Sequence, residues 1–211
     1  MWHPDGLILT NAHVVAGGPV SVTFHDGRTL PADLLARDAD LDLAALSVYA
    51  AGLPTVALGE SRTLRPGQIV LALGHPQGLV GAVTAGVVIG SENGARGPEG
   101  AEWITADLHL RPGYSGGPLV DARGRLVGIN FMMNGPRVGM AVPVHVVKAF
   151  LRRNLGGSRA EAWIGKPRPL PRPRPLSPWG GEARWVGAVY LIQLPLLAGE
   201  RSSSLQRTLS F

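Results

Sequence analysis

Short apolar or alternating runs, each closed by a turn signal, recur along the first 144 residues. "LILTNAHVV" (7–15) stops at Gly17-Gly18-Pro19, and "VSVTFHDG" (20–27) alternates and ends in the hairpin signal Asp26-Gly27. "RTLPADLLARD" (28–38), "LAALSVY" (43–49) and "TVALG" (55–59) follow, so about five strands are predicted before Pro66-Gly67. After it come "QIVLALG" (68–74), "AVTAGVVIGS" (82–91), "EWITAD" (102–107), "GPLVDA" (117–122), "RLVGINFMM" (125–133) and "RVGMAVPV" (137–144). This second half predicts about six strands. Two similar halves of evenly spaced strands predict an all-β protein of two antiparallel barrels.

One helix is predicted, over "VHVVKAFLRRNL" (144–155). Val144, Val147, Leu151 and Leu155 recur at helical spacing, and Gly156-Gly157 can supply the C-terminal cap. The pattern then breaks. "KPRPLPRPRPLSPWGG" (166–181) alternates proline with Arg or Leu, which favours an extended polyproline linker and cannot build a core. The expected organisation is a first barrel over 1–60, a second barrel plus helix over 61–156, and a Pro/Arg-rich, largely disordered linker and tail over 157–211.

Composition agrees with a globular chain: 45% hydrophobic, 17% charged, with 29 glycines and 18 prolines for turns. The net charge of +5 changes the picture only until it is located. Residues 1–156 hold 12 Lys+Arg against 12 Asp+Glu, and residues 157–211 hold 8 against 3. The excess belongs to the tail, so no nucleic-acid surface is expected on the folded part. Without cysteine there are no disulfides or thiolate sites, no metal-ligand spacing is present, and no cofactor is expected. The start "MWHPDGLILTNAHVV" has no signal-peptide pattern, and the uncharged run Trp185–Ala198 is too short to span a bilayer.

The candidate chemistry lies in "RPGYSGGPLVD" (111–121). A serine hydroxyl reacts only with a base to take its proton, a group to orient that base, and donors for the oxyanion. Gly113 lets the backbone turn so that the N–H groups of Gly113 and Ser115 share one hole, while Gly116 and Gly117 leave room for substrate. Gly113-Tyr114-Ser115-Gly116-Gly117 also fits the G-x-S-x-G elbow of α/β-hydrolases. That elbow needs a helix after the serine and an Asp, then a His, downstream. Here Pro118 and a strand follow, and the one downstream histidine, His145, begins a helix. The order His, Asp, Ser fits instead: His13 closes an apolar run and Asp42 precedes another. Asp38 and Asp40 read as solvated turn residues; His3, His25, His75 and His145 read as surface or loop residues.

"TNAHVV", "DLAAL" and "GYSGGPL", in this order, resemble the trypsin-like serine proteases, most closely the HtrA/Deg group; "LGHPQGLVGAVTAGVV" (73–88) and "GRLVGINF" (124–131) resemble that group's second barrel. The resemblance covers about residues 4–155. It implies two six-stranded barrels with the site between them. Ser115 is then the nucleophile, His13 the general base and acid, Asp42 its orienting partner, and the Gly113 and Ser115 N–H groups the oxyanion hole. Asn130, Phe131 and Met132 would pair with substrate, and Leu110, Phe131 and Met132 would favour small or medium apolar side chains. His109 falls where the primary specificity pocket has its base; with no acidic residue there, cleavage after Lys or Arg is not expected. The implied activity is endopeptidase cleavage of unfolded or damaged polypeptides. The group is commonly found in the cell envelope or periplasm and often as homotrimers.

Three departures accompany the resemblance. The group carries a further strand ahead of "DGLILTNAHVV", so the first barrel is expected to lack its first strand, as though translation began upstream. The PDZ domain that usually follows the helix has no counterpart in 157–211. Tyr114 stands where Asn, Asp or Ser is commoner.

Overall fold

The computed structural model describes residues 2–93, 102–156, 191–193 and 208–210. Two sheets account for most of them. In the first, β1 (Leu7–Thr10), β4 (Leu43–Val48), β3 (Thr29–Asp38) and β2 (Val20–Thr23) lie side by side in that order, all antiparallel. The sheet continues past β2 into β11 (Leu191–Gln193) and β12 (Thr208–Ser210) and does not close; the rest of the tail lies outside the described residues. The second sheet is a closed six-stranded barrel. It runs in the order β10 (Val138–Pro143), β7 (Glu102–Asp107), β6 (Ala82–Asn93), β5 (Ile69–Gly74), β8 (Pro118–Asp121) and β9 (Leu126–Met133).

Two predicted strands are shorter than expected or missing, each for a local reason. Only Leu7–Thr10 of "LILTNAHVV" is a strand. Beyond it the Ala12 N–H and the Asn11 side chain both turn onto the Asp42 carbonyl, and the segment leaves the sheet. "TVALG" (55–59) is an extended connection instead of a strand of the first sheet. Leu58 bridges Leu126 in parallel, while the Leu126 and Gly59 N–H groups donate to the Ala57 and Leu126 carbonyls. The isolated polar ladder of a crossing chain is thus satisfied by the second barrel.

Each sheet encloses its own apolar cluster, and a third cluster joins them. Leu7, Leu9, Leu43 and Ala45 from the first sheet meet Trp103, Leu126, Ile129 and Val142 from the second. The helix α1 (Val144–Leu155) drives Val147, Phe150 and Leu151, all fully buried, into the same cluster. Its predicted apolar stripe is therefore the seam of the molecule, and Gly156, at φ +75, ends it. At the start of α1 the His145 N–H donates to Ser61 Oγ, 2.8 Å from His145 Nδ1, and His145 Nε2 lies 2.6 Å from a carboxylate oxygen of Glu102. His145 reads from the sequence as a surface or loop residue; its side chain is instead mostly enclosed, because it ties the inter-barrel connection to the helix and to β7.

Candidate active site

Asp42 sits just before β4 with φ +49, a left-handed conformation that Asp and Asn adopt more readily than other side-chain-bearing residues. This turn aims both of its carboxylate oxygens at one residue. Oδ1 accepts the His13 backbone N–H at 2.8 Å, and Oδ2 lies 2.6 Å from His13 Nδ1. A contact that short to a carboxylate requires the proton on Nδ1, which leaves Nε2 as the basic nitrogen. Asp42 is 8% exposed, whereas the His13 side chain is half exposed. The orienting carboxylate is thus shielded from solvent while the imidazole still faces it.

The serine lies on a pair of linked turns. Tyr114 N–H donates to the Arg111 carbonyl, and Gly113 has φ +104, so Arg111-Pro112-Gly113-Tyr114 has the signature of a type II turn with Pro and Gly at its two central places. Gly117 N–H then donates to Tyr114 O, which carries the chain into β8. Among the described residues, neither the Gly113 nor the Ser115 N–H is donated to another group. They are the two amides that an oxyanion would need. Tyr114, the unusual residue, is buried in the interior of the second barrel, and burial raises its phenol pKa. Its ring anchors the loop from beneath and does not shade the site.

The end of β5 supports this loop, which the sequence reading missed. The His75 N–H donates to Gly113 O at 2.9 Å, and a Cβ at Gly74 would stand 2.6 Å from Gly113 O and 2.8 Å from Tyr114 Cα. His75, read from sequence as a surface or loop residue, is buried behind the loop. The signal available was "LALGHP", an apolar run ending in a glycine that the next loop must approach. Asn11 was missed as well; a fully buried polar residue within "LILTNAHVV", it holds the Asp42 carbonyl through Nδ2.

Ser115 Oγ donates to the Phe131 carbonyl at 3.1 Å, and no bond joins it to His13 among the described residues. That carbonyl is available because β9 bulges there: Asn130 pairs with Ala141 and Met132 with Met140, leaving Phe131 as the extra residue. The three residues expected to meet substrate point different ways. Asn130 is fully buried; the Phe131 ring stacks on Trp103 at 4.6 Å in the inter-barrel cluster; Met132, 49% exposed, faces solvent. Leu110 is buried, with its N–H against Met133 Sδ at 3.0 Å, and His109 is exposed.

Gly113→Ala is expected to be costly at this loop. The added Cβ would stand 2.6 Å from His75 O, and a type I turn, which relieves the positive φ, turns the central peptide over and takes the Gly113 N–H with it. Loss of one oxyanion donor lowers kcat by about 10² to 10³. Steady-state kinetics on active-site-titrated protein reads this directly; an unchanged kcat would remove Gly113 from the hole.

Among the described residues no group of three or more His, Cys, Asp or Glu side chains is placed to hold a metal ion. No helix among them is long and apolar enough to cross a membrane.

The trypsin-like peptidase domain family matches residues 1–129. The chain is 42% identical over 157 residues to "Serine protease HTRA2, mitochondrial" of Drosophila persimilis, covering 71% of this chain and 36% of that protein. It is 39% identical over 170 residues to "Probable periplasmic serine endoprotease DegP-like" of Halomonas elongata, covering 76% and 35%. Among solved structures, "HtrA-type protease AlgW with decapeptide" superposes with a TM-score of 0.66 at 34% identity, over 71% of this chain and 48% of that one. The chain thus spans about a third of the length of these curated relatives. With its model matching residues 1–129, more than half of the chain, and with the relatives and structural neighbours it resembles being serine proteases of the HtrA type, the chain belongs to the trypsin-like peptidase domain family.

Proposed function

We propose that the chain is a serine endopeptidase that cuts unfolded polypeptides through an acyl-enzyme. The observation that carries this reading is the double contact of Asp42 with His13, which leaves Nε2 as the base of a His-Asp pair in a chain whose Ser115 loop has two amides unpaired among the described residues. In this mechanism His13 takes the Ser115 proton as Oγ attacks the scissile carbonyl, and the Gly113 and Ser115 N–H groups receive the oxyanion. His13 then protonates the leaving amine, and water repeats the cycle on the ester. Asp42 supports the imidazolium at each stage without taking its proton.

The Ser115–Phe131 bond fits as a resting arrangement. A substrate in extended form that donates a backbone N–H to Phe131 O competes for that carbonyl and releases the hydroxyl toward His13. Extended backbone is what an unfolded chain offers and a folded surface seldom does, so this step selects against native proteins. Met132, exposed beside it, supplies an adaptable apolar contact for the substrate side chain.

The same bond favours a second reading, in which the first sheet, left open, does not bring His13 onto Ser115, and the chain binds exposed apolar segments without cutting them. One experiment separates the two. A fluorophosphonate probe and an unfolded protein are offered to the full chain, with the native form of the same protein as control. Covalent labelling with cleavage of the unfolded form alone is expected. Binding with neither labelling nor cleavage would replace the first reading by the second.

A further inference from the structure

β5 and β8 pair only from Val70–Asp121 to Ala72–Leu119. Beyond that point the ladder stops, because β8 has turned away into the serine loop. Two carbonyls face each other where the ladder ends, Leu73 O on β5 and Pro118 O at the start of β8. The Asn130 Nδ2 group donates to both, at 3.3 Å and 3.2 Å. The Asn130 backbone holds the same stretch: its N–H donates to Gly117 O at 2.8 Å, and its carbonyl accepts the Gly116 N–H at 3.0 Å. The next carbonyl along, Phe131 O, is the acceptor of Ser115 Oγ. A side chain at Gly117 would collide with Leu73 O, so the loop is seated directly on this gap.

Asn130 is fully buried, and its Oδ1 has no partner among the described residues. Turning the amide over would set that oxygen against two carbonyls, so the orientation is fixed. A buried amide that leaves its acceptor unused is retained for its donors. We infer that Asn130 is a positioning residue for the nucleophile: its amide ties the end of β5 to the start of β8 and thereby sets where Ser115 stands. This rests on the serine endopeptidase reading for its consequence in catalysis, and on the hydrogen bonds alone for its consequence in the loop.

Asn130→Leu keeps the branched heavy-atom skeleton and removes both donors. Asn130→Asp keeps the shape; buried, its carboxyl titrates above the usual range, so in mild acid it remains neutral and donates one O–H, whereas ionised it opposes both carbonyls. Misplacing a nucleophile costs reaction rate more than binding. With active-site-titrated full chain, kcat for Asn130→Leu is expected to fall roughly tenfold or more with KM little changed. The ratio of Asn130→Asp to wild type is expected to fall as pH rises from mildly acid to mildly alkaline, a slope that a merely looser fold does not produce. Hydrogen exchange gives a readout that needs no catalysis: peptides covering 113–118 should exchange faster in the variants while those of β6 and β7 keep their rates. Wild-type kcat per titrated site at every pH, or unaltered exchange at 113–118, overturns the inference, whatever the variants' melting temperatures. If wild type itself neither labels nor cleaves, the endopeptidase reading falls and the exchange result decides the role of Asn130 by itself.

Discussion

Ser115→Ala is expected to abolish fluorophosphonate labelling and to lower kcat on an unfolded substrate by on the order of 10⁴ or more. The size follows from how much else the site retains. The substitution leaves Asp42 on His13, the Gly113 and Ser115 amides, and the Phe131 carbonyl in place, so binding continues and KM should change little. What is lost is the covalent step, and water in its place must attack without the acyl intermediate. The alanine removes a hydroxyl whose one partner is a backbone carbonyl at a half-exposed position, so the fold should tolerate it. Mass spectrometry of the labelled protein and initial-rate kinetics check both halves. Labelling of the alanine variant equal to wild type would mean that another residue reacts, and the assignment of Ser115 would fail.

Asp42→Asn is expected to cost about 10⁴ in kcat while leaving the structure intact. Asparagine suits the left-handed backbone at this position at least as well as aspartate does. Its carbonyl oxygen stays on the His13 backbone N–H, since that donor can only face an acceptor, and the amide nitrogen is then left against Nδ1. The imidazole answers by moving its proton to Nε2, the atom that should accept from Ser115. The base becomes a donor at the wrong place. An unchanged melting temperature with a collapsed kcat is the expected pair of results, and imidazole nitrogen NMR should report the tautomer. Full activity in this variant would show that His13 is oriented by something else.

Much of this was legible in the sequence because of strong local signals. Alternation and turn residues located β2, β3, β4 and the strands of the second barrel, and α1 followed from Val144, Val147 and Leu151. The HtrA-type resemblance rests on three short motifs in order and on two stretches of the second barrel. The misses share a cause: they concern which distant backbone a segment meets. "LILTNAHVV" has the composition of one strand, yet the Asp42 carbonyl and carboxylate capture its second half. "TVALG" is apolar enough for a strand of the first sheet, yet its hydrogen bonds go to β9. Asn130 and Phe131 lie in a run that reads as a substrate strand, but the bulge that buries one amide and turns the other residue's carbonyl onto Ser115 has no local signature. Periodicity reports which side of an element is apolar, and long-range polar pairing leaves little trace in it.

The seam built by α1 has a consequence for the time at which chemistry appears. Residues 13, 42 and 115 are made early, but the cluster that joins their two sheets is completed by Val147, Phe150 and Leu151. During synthesis, the N-terminal sheet can form before the second barrel exists, and the barrel can close before the helix has emerged. Until then the imidazole-bearing and serine-bearing halves meet without the three helix side chains that complete the cluster between them. On the proposed function, a peptidase that cuts extended chains would otherwise be born beside its own unfolded continuation and beside other nascent polypeptides. On that reading, a joining helix placed after residues 13, 42 and 115 delays competence until the folded parts can no longer serve as substrate.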